Sequence, residues 1–306
     1  MDILIEGLSK SYGNQKAVDN ISFEVRTGEI VGFLGPNGAG KTTTMRMITQ
    51  YLAPDSGQIT IGGKSTTRHN LRGSIGYLPE HNPLYEDMPV IDYLGFCGEL
   101  QGITKSQIDH RIREMVVMCG LNDEKHKKIG ELSKGYRQRV GLAQAMIHDP
   151  AILILDEPTT GLDPNQRVEI RDLIKRLGVH KSVILCTHIL PEVEATCDRI
   201  LIINKGKIVA NGTPESLRTH ASGKSLLLVD IEGAPRESIT QALKSLPTVT
   251  GISKSADHKL LEIECTDGPQ TARAVYKLCV SREWMLLQMS PVEVRLEDIF
   301  RNVTMN

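Results

Sequence analysis

At 306 residues the chain exceeds one ordinary domain, and its 40% hydrophobic content suffices for a sizeable buried core. A formal net charge of −1 supplies no general field for nucleic acid, and no apolar run approaches the roughly 18 residues needed to cross a bilayer. The six cysteines, Cys97, Cys119, Cys186, Cys197, Cys265 and Cys279, contain no CxxC pair, so reduced thiols in a reducing compartment are expected rather than a metal site or disulfide framework.

In chain order, MDILIEGLSK carries acids and no long apolar stretch, so it reads as a strand rather than a secretory signal. The apolar run Glu29 to Leu34 predicts a second strand, and TTTMRMI resumes helical spacing with Met45 and Ile48. Between them stands GPNGAGKT, a phosphate loop in the required strand-to-helix context. Gly35, Gly38 and Gly40 let successive N–H groups point inward, and Pro36, Asn37, Ala39 and Thr43 complete the cradle. Lys41 is expected to reach the β- and γ-phosphates, and Thr42 to ligate Mg²⁺.

SIGYLP reads as a strand that delivers Glu80, and Pro79, Pro83 and Pro89 make PEHNPLYEDMPV irregular, as suits a contact loop with Tyr85 and Met88 exposed. From about residue 80 to 150 apolar residues recur at helical steps. LSKGYRQR at 132 to 139 opens a helix with Ser133 as its cap, and a helix amino-terminus serves capping and anion binding alike. ILILDEP is a buried parallel strand ending in two acids. Asp156 is placed to ligate Mg²⁺, and Glu157, one residue on and pointing the other way, to orient an attacking water. GLDP, holding Asp163, is also an ordinary turn sequence, and His188 follows the apolar strand SVILCT. After a hairpin and a terminal helix, THASGK at 219 to 224 reads as a linker. The remainder reads βαββαβ, as in a ferredoxin-like fold, closed by the short helix LEDIFRNVT.

These elements, in this order, resemble the nucleotide-binding subunit of ATP-binding-cassette (ABC) transporters over roughly residues 1 to 215. The resemblance implies an α/β P-loop NTPase fold with a RecA-like core, an antiparallel β part and a helical subdomain at about 80–150. The cassette would span 1–218 and the ferredoxin-like α+β accessory domain 225–306, with dimer contact or regulation, or simple stabilisation, as its work. The resemblance also implies ATP and Mg²⁺ as ligands. Tyr12 matches the aromatic that stacks on adenine, though an isolated Tyr is more often part of a core. His188 matches the histidine that bonds the γ-phosphate, and Asp163 the loop that crosses to a partner subunit. Ser133 and Gly135 match the positions that face the γ-phosphate held by a second copy, implying a head-to-tail homodimer. Lys134 and Tyr136 depart from the family's Gly and Gln, and Glu80 stands where Gln is usual, as a metal ligand that senses the membrane partner.

YLPE followed by HNPLY is similar to exporter subunits of the ABC-2 type, including drug-efflux, sodium-efflux and gliding-motility systems. That implies an integral membrane permease as partner, no nucleic acid, and a peripheral place on the cytoplasmic side of the inner membrane. A soluble ABC ATPase acting on ribosomes or nucleic acid is the rival reading; a single phosphate loop and the lack of sustained heptads disfavour it. Glu157 and His188 argue against a module that holds ATP without cleaving it.

Overall fold

The computed structural model describes residues 1–222, 225–254, 260–292 and 296–304. The chain forms two compact units, one of Met1–Pro214 with the stretch beginning at Asn302, the other of Glu215–Arg301.

The first unit opens with β1 (Ile3–Tyr12) and β2 (Gln15–Val25), an antiparallel pair. Then come β3 (Ile30–Leu34), α1 (Lys41–Ile48), β4 (Ser56–Ile61), β5 (Lys64–Ser65) and β6 (Ile75–Leu78). Three helices follow, α2 (Val90–Leu100), α3 (Lys105–Met118) and α4 (Lys134–Met146), packed on one another as the helical subdomain. The core resumes with β7 (Ile152–Asp156), α5 (Pro164–Gly178), β8 (Ser182–Thr187), α6 (Leu190–Thr196), β9 (Arg199–Asn204) and β10 (Lys207–Gly212), and α7 (Pro214–Ser222) leads into the second unit.

Strands β2-β1-β4-β5 make an antiparallel sheet, and β10-β9-β3-β8-β7-β6 a second sheet, parallel except for the edge strand β10. Every residue of β3, β7 and β8 is buried, because both faces of the parallel sheet are covered. On one face, Phe23, Phe33, Met45, Ile48, Ile59, Ile154 and Ile184 belong to a core shared by both sheets and α1. On the other, α6 packs on β3 and β8. Helix α5 starts cleanly, with Asp163 as cap and Pro164 at its first turn, and buries Ile170, Leu173, Ile174 and Leu177 at three- and four-residue steps.

The second unit comprises β11 (Ser225–Glu232), α8 (Arg236–Lys244), β12 (Val249–Lys254), β13 (Leu261–Cys265), α9 (Gly268–Ser281) and β14 (Met285–Val292). Its strands pair antiparallel in the order β12-β13-β11-β14, the ferredoxin-like arrangement expected from the βαββαβ pattern. Leu227, Val229 and Ile263 meet Ile239 and Leu243 of α8 and Val275 of α9 in one core. The closing helix α10 (Leu296–Thr304) falls where LEDIFRNVT is.

The expected linker needs correcting in part. Helix α7 continues through Thr219 to Ser222, and Gly223 and Lys224 lie outside the described residues. Thr, His and Ser cost a helix no more than about 0.7 kcal/mol each, and extending a helix already begun at Pro214 is cheap.

Candidate active site

Parallel strands deliver the chemistry to one edge. In register, Leu34 of β3 lies opposite Thr187 of β8, Asp156 of β7 opposite Cys186, and Leu78 of β6 opposite Leu155. The residues that follow these strands therefore leave the sheet side by side at its carboxyl edge. There, Asn37, Gly38, Gly40, Lys41, Thr42 and Thr43 of the loop join Glu80, Asp156, Glu157 and His188 around a cavity of about 370 Å³, completed by Ala17 and Thr160.

The loop's shape rests on Gly40. Its φ is 108°, and any Cβ there would drive into the carbonyl of Ala17, so only glycine lets β2 lie against the loop. Gly35 and Ala39 are buried beneath, with Pro36 half-buried. Lys41 is 8% exposed. Its Nζ donates to the carbonyls of Gly35 at 2.8 Å and Pro36 at 3.2 Å, neutral acceptors that an anionic phosphate outcompetes.

Thr42 Oγ1 donates to Asp156 Oδ2 at 3.1 Å. Burial pushes the Asp156 carboxyl up to about 6; the charges of Glu80 and Glu157 add to the rise and the Thr42 bond opposes it. A hard divalent cation fits this donor set, since every ligand is an oxygen and the acids repel one another without it. Among the described residues, no three His, Cys, Asp or Glu side chains converge closely enough to hold a metal. Phosphate oxygens would therefore have to complete the shell of such a cation, as is usual for Mg²⁺.

Glu157 differs from its expected geometry. Strand alternation predicts that it points away from Asp156, yet both carboxylates line the same cavity. The cause is a left-handed backbone at Glu157, φ 53°, which costs about 1–2 kcal/mol and ends the alternation. Its N–H still donates to Cys186 O at 2.8 Å, anchoring the turn to β8. The carboxylate meets His188 Nδ1 at 2.8 Å through Oε1, while Oε2 accepts from Thr160 at 3.1 Å and Thr187 at 3.3 Å. An ionised carboxylate only accepts, so Nδ1 carries the hydrogen and Nε2 is left for another partner.

Beside Gly35, Pro36 and Ala39, which lie under the loop, four more expected site residues stand outside the cavity. Tyr12 is 52% exposed at the end of β1. Ser133 is exposed and caps α4, accepting from Tyr136 N at 3.4 Å. Asp163 caps α5, accepting from Gln166 N at 2.9 Å. Gly135 is buried against the Gln166 side chain, and Lys134 crosses Gly161, so LSKGY and GLDP form one patch.

Of the residues expected to face a partner, Tyr85 is 57% exposed. Met88 is half-buried, and its carbonyl accepts from Ile129 N at 3.0 Å. Ala17, Thr160 and Thr187 escaped the sequence reading; the hydroxyls beside DEP and before His188 were a usable signal, whereas Ala17 has no distinguishing chemistry.

The ABC transporter family matches residues 18–160. YhcH of Bacillus subtilis (strain 168), an uncharacterised ABC transporter ATP-binding protein, is 42% identical across 98% of this chain and 95% of its own. The daunorubicin resistance ATP-binding protein DrrA3 of Streptomyces coeruleorubidus is 34% identical across 99% and 95%. A solved dimeric ATP-binding cassette, MJ0796 in a post-hydrolysis state with ADP and Pi, superposes with TM-score 0.64 at 24% identity, covering 69% of this chain and 98% of that one. That likeness bears on the fold, and the near full-length identity to curated relatives on kinship. A phosphate loop beside a hydrogen-bonded Glu–His pair, within that kinship, makes this chain an ATP-binding protein of the ABC transporter family, an ABC-type ATPase.

Proposed function

We propose that the chain is the ATP-hydrolysing subunit of an ABC-2-type exporter, acting as a head-to-tail homodimer on a separate integral membrane permease. The division of the motifs carries this reading. Lys41, Asp156, Glu157 and His188 line one cavity, whereas Ser133 and Asp163 cap helices outside it. A second copy, related by a two-fold axis, would bring Ser133 and the Gly135 backbone to the Lys41 loop of the first. The dimeric MJ0796 cassette and the drug-resistance name of DrrA3 support the reading.

In the closed dimer Tyr12 offers its exposed ring to adenine, and Lys41 moves from its loop carbonyls to the γ-phosphate. Thr42, Asp156 and Glu80 would hold Mg²⁺, which would supply positive charge against the phosphate. Glu157, oriented by His188, Thr160 and Thr187, accepts the proton of the attacking water. Binding favours the closed state, and hydrolysis removes that preference.

The permease docks at the helical subdomain, where Tyr85 and Phe96 lie with ring centroids 5.7 Å apart and Leu100, one turn on, is 71% exposed. No described helix is long and apolar enough to cross a membrane. We place the subunit peripherally on the cytoplasmic side of the inner membrane, with residues 1–218 as cassette and 225–306 as an accessory domain for dimer contact or regulation.

The test is the Glu157→Gln protein in Mg-ATP, followed by light scattering after gel filtration and by co-purification with a permease encoded beside it. A stable ATP-dependent dimer that brings down the permease is expected. A monomer at saturating Mg-ATP, with no membrane partner, overturns the reading.

A further inference from the structure

Glu80 sits in a turn that closes when Asn82 N donates to Pro79 O at 3.0 Å. Pro79 follows directly on β6 in the parallel sheet, so one end of the turn is fixed. The other end is fixed by a side chain. Asn82 adopts the left-handed region, φ 39°, which asparagine tolerates better than most residues, and its Nδ2 donates to Arg137 O of α4 at 3.0 Å.

That carbonyl is already the helix's own acceptor, since Arg137 and Gly141 stand one turn apart on the same stripe. It is open to a second donor because residue 141 is glycine. A Cβ built there would come within 2.5 Å of both Cγ and Nδ2 of Asn82, so the amide occupies the space that any other residue would fill. The same segment is tied again to α4 and the stretch leading into it, by Gly130 N donating to Glu86 O at 2.8 Å and by Arg137 facing Glu86 at 3.7 Å. Glu80 is thus suspended between the parallel sheet and α4, the helix that Ser133 caps.

We propose that Asn82, seated over Gly141, is a positioning residue that holds Glu80 at the nucleotide cavity and makes it move with α4. The inference rests on the reading above, in which Glu80 faces the Mg²⁺ of bound ATP. Movement of the helical subdomain would then carry the Glu80 carboxylate and the Ser133 cap as one body.

The test uses Asn82→Asp, which keeps the shape and loses the donor, and Gly141→Ala, whose methyl evicts the amide. The pair Asn82→Gly/Gly141→Ala makes room for the methyl and guards against misfolding. One readout needs neither nucleotide nor metal: amide hydrogen exchange in residues 78–84 should quicken about tenfold in the single variants, while α3 is unchanged. The second is the Mg²⁺ concentration for half-maximal ATP-induced dimerisation in the Glu157→Gln background. It should rise about tenfold, the low end for loss of a group that orients a metal ligand, and should not rise further once Glu80 is already Gln. Unchanged exchange at 78–84, or an equal Mg²⁺ shift with and without Glu80, overturns the inference. If Glu80→Gln alone leaves the Mg²⁺ requirement unmoved, it is the metal-facing reading of Glu80 that falls, and the inference with it.

Discussion

Glu157 Oε1 and His188 Nδ1 lie 2.8 Å apart, with the carboxylate side chain 7% exposed and the imidazole 55%. The buried member is therefore oriented by the exposed one, whose second nitrogen is left for another partner. Glu157→Gln should lower the ATP turnover number by about 10²–10⁴-fold, the usual worth of a positioned proton acceptor. His188→Ala should cost somewhat less, and the double variant should be no worse than Glu157→Gln alone, because the two act as a unit. Phosphate release under saturating Mg-ATP measures all three; additive losses would separate the pair into independent groups.

Lys134 occupies the first turn of α4, where the helix dipole disfavours a cation by about 0.3–1 kcal/mol. An anion arriving at that terminus reverses the sign of its contribution. Lys134→Gly, which restores the usual family residue, should weaken ATP-induced dimerisation several-fold at low salt. The difference should shrink by about 0.5 M salt, where screening acts within a few ångströms. A defect of equal size at both ionic strengths would point instead to backbone loosening by the added glycine.

Asp163 caps α5, and the proposed dimer would give it a second job that substitution can separate. As cap of α5 it accepts from Gln166 N at 2.9 Å. Asp163→Ala should lower the stability of the cassette by about 0.5–2 kcal/mol, whereas Asp163→Asn, itself a good cap, should keep it within a few tenths. If the loop also crosses to a second copy, the Asn variant will lose ATPase activity despite its native stability. Urea unfolding beside a steady-state rate decides it, and full activity in Asp163→Asn leaves Asp163 as a cap alone.

Tyr85 and Phe96 form an exposed aromatic pair flanked by the buried Tyr93, whose ring lies 5.8 Å from that of Tyr85. Tyr85→Ser with Phe96→Ser removes apolar area that water already reaches, so the change in folding stability should stay near 0.5 kcal/mol per site. Co-purification with the permease should fall at least about tenfold, as expected where aromatic anchors dominate an interface. Undiminished capture would move the docking surface elsewhere.

The parts legible in the chain are those whose physics is short-ranged. GPNGAGKT declares its phosphate cradle through contiguous glycines and a lysine, and ILILD declares a strand covered on both faces. In the second unit, two β-α-β runs imply the antiparallel four-stranded sheet that forms. The helix through Thr219 to Ser222 was hidden because small polar residues suit loops and helix ends equally.

Tertiary structure decided what depends on two distant segments meeting. Ala17 enters the site only because β2 lies against Gly40, and Glu157 shares the cavity of Asp156 only because a left-handed turn, held by Cys186 O, interrupts the strand's alternation. Asn82 reads as loop polarity until Gly141 is seen beneath it. Residue order was enough to name the phosphate chemistry, since that is written in backbone conformation over eight neighbouring positions, Gly35 to Thr42. Which carboxylates converge came from packing, because a shared cavity is a property of the space between elements.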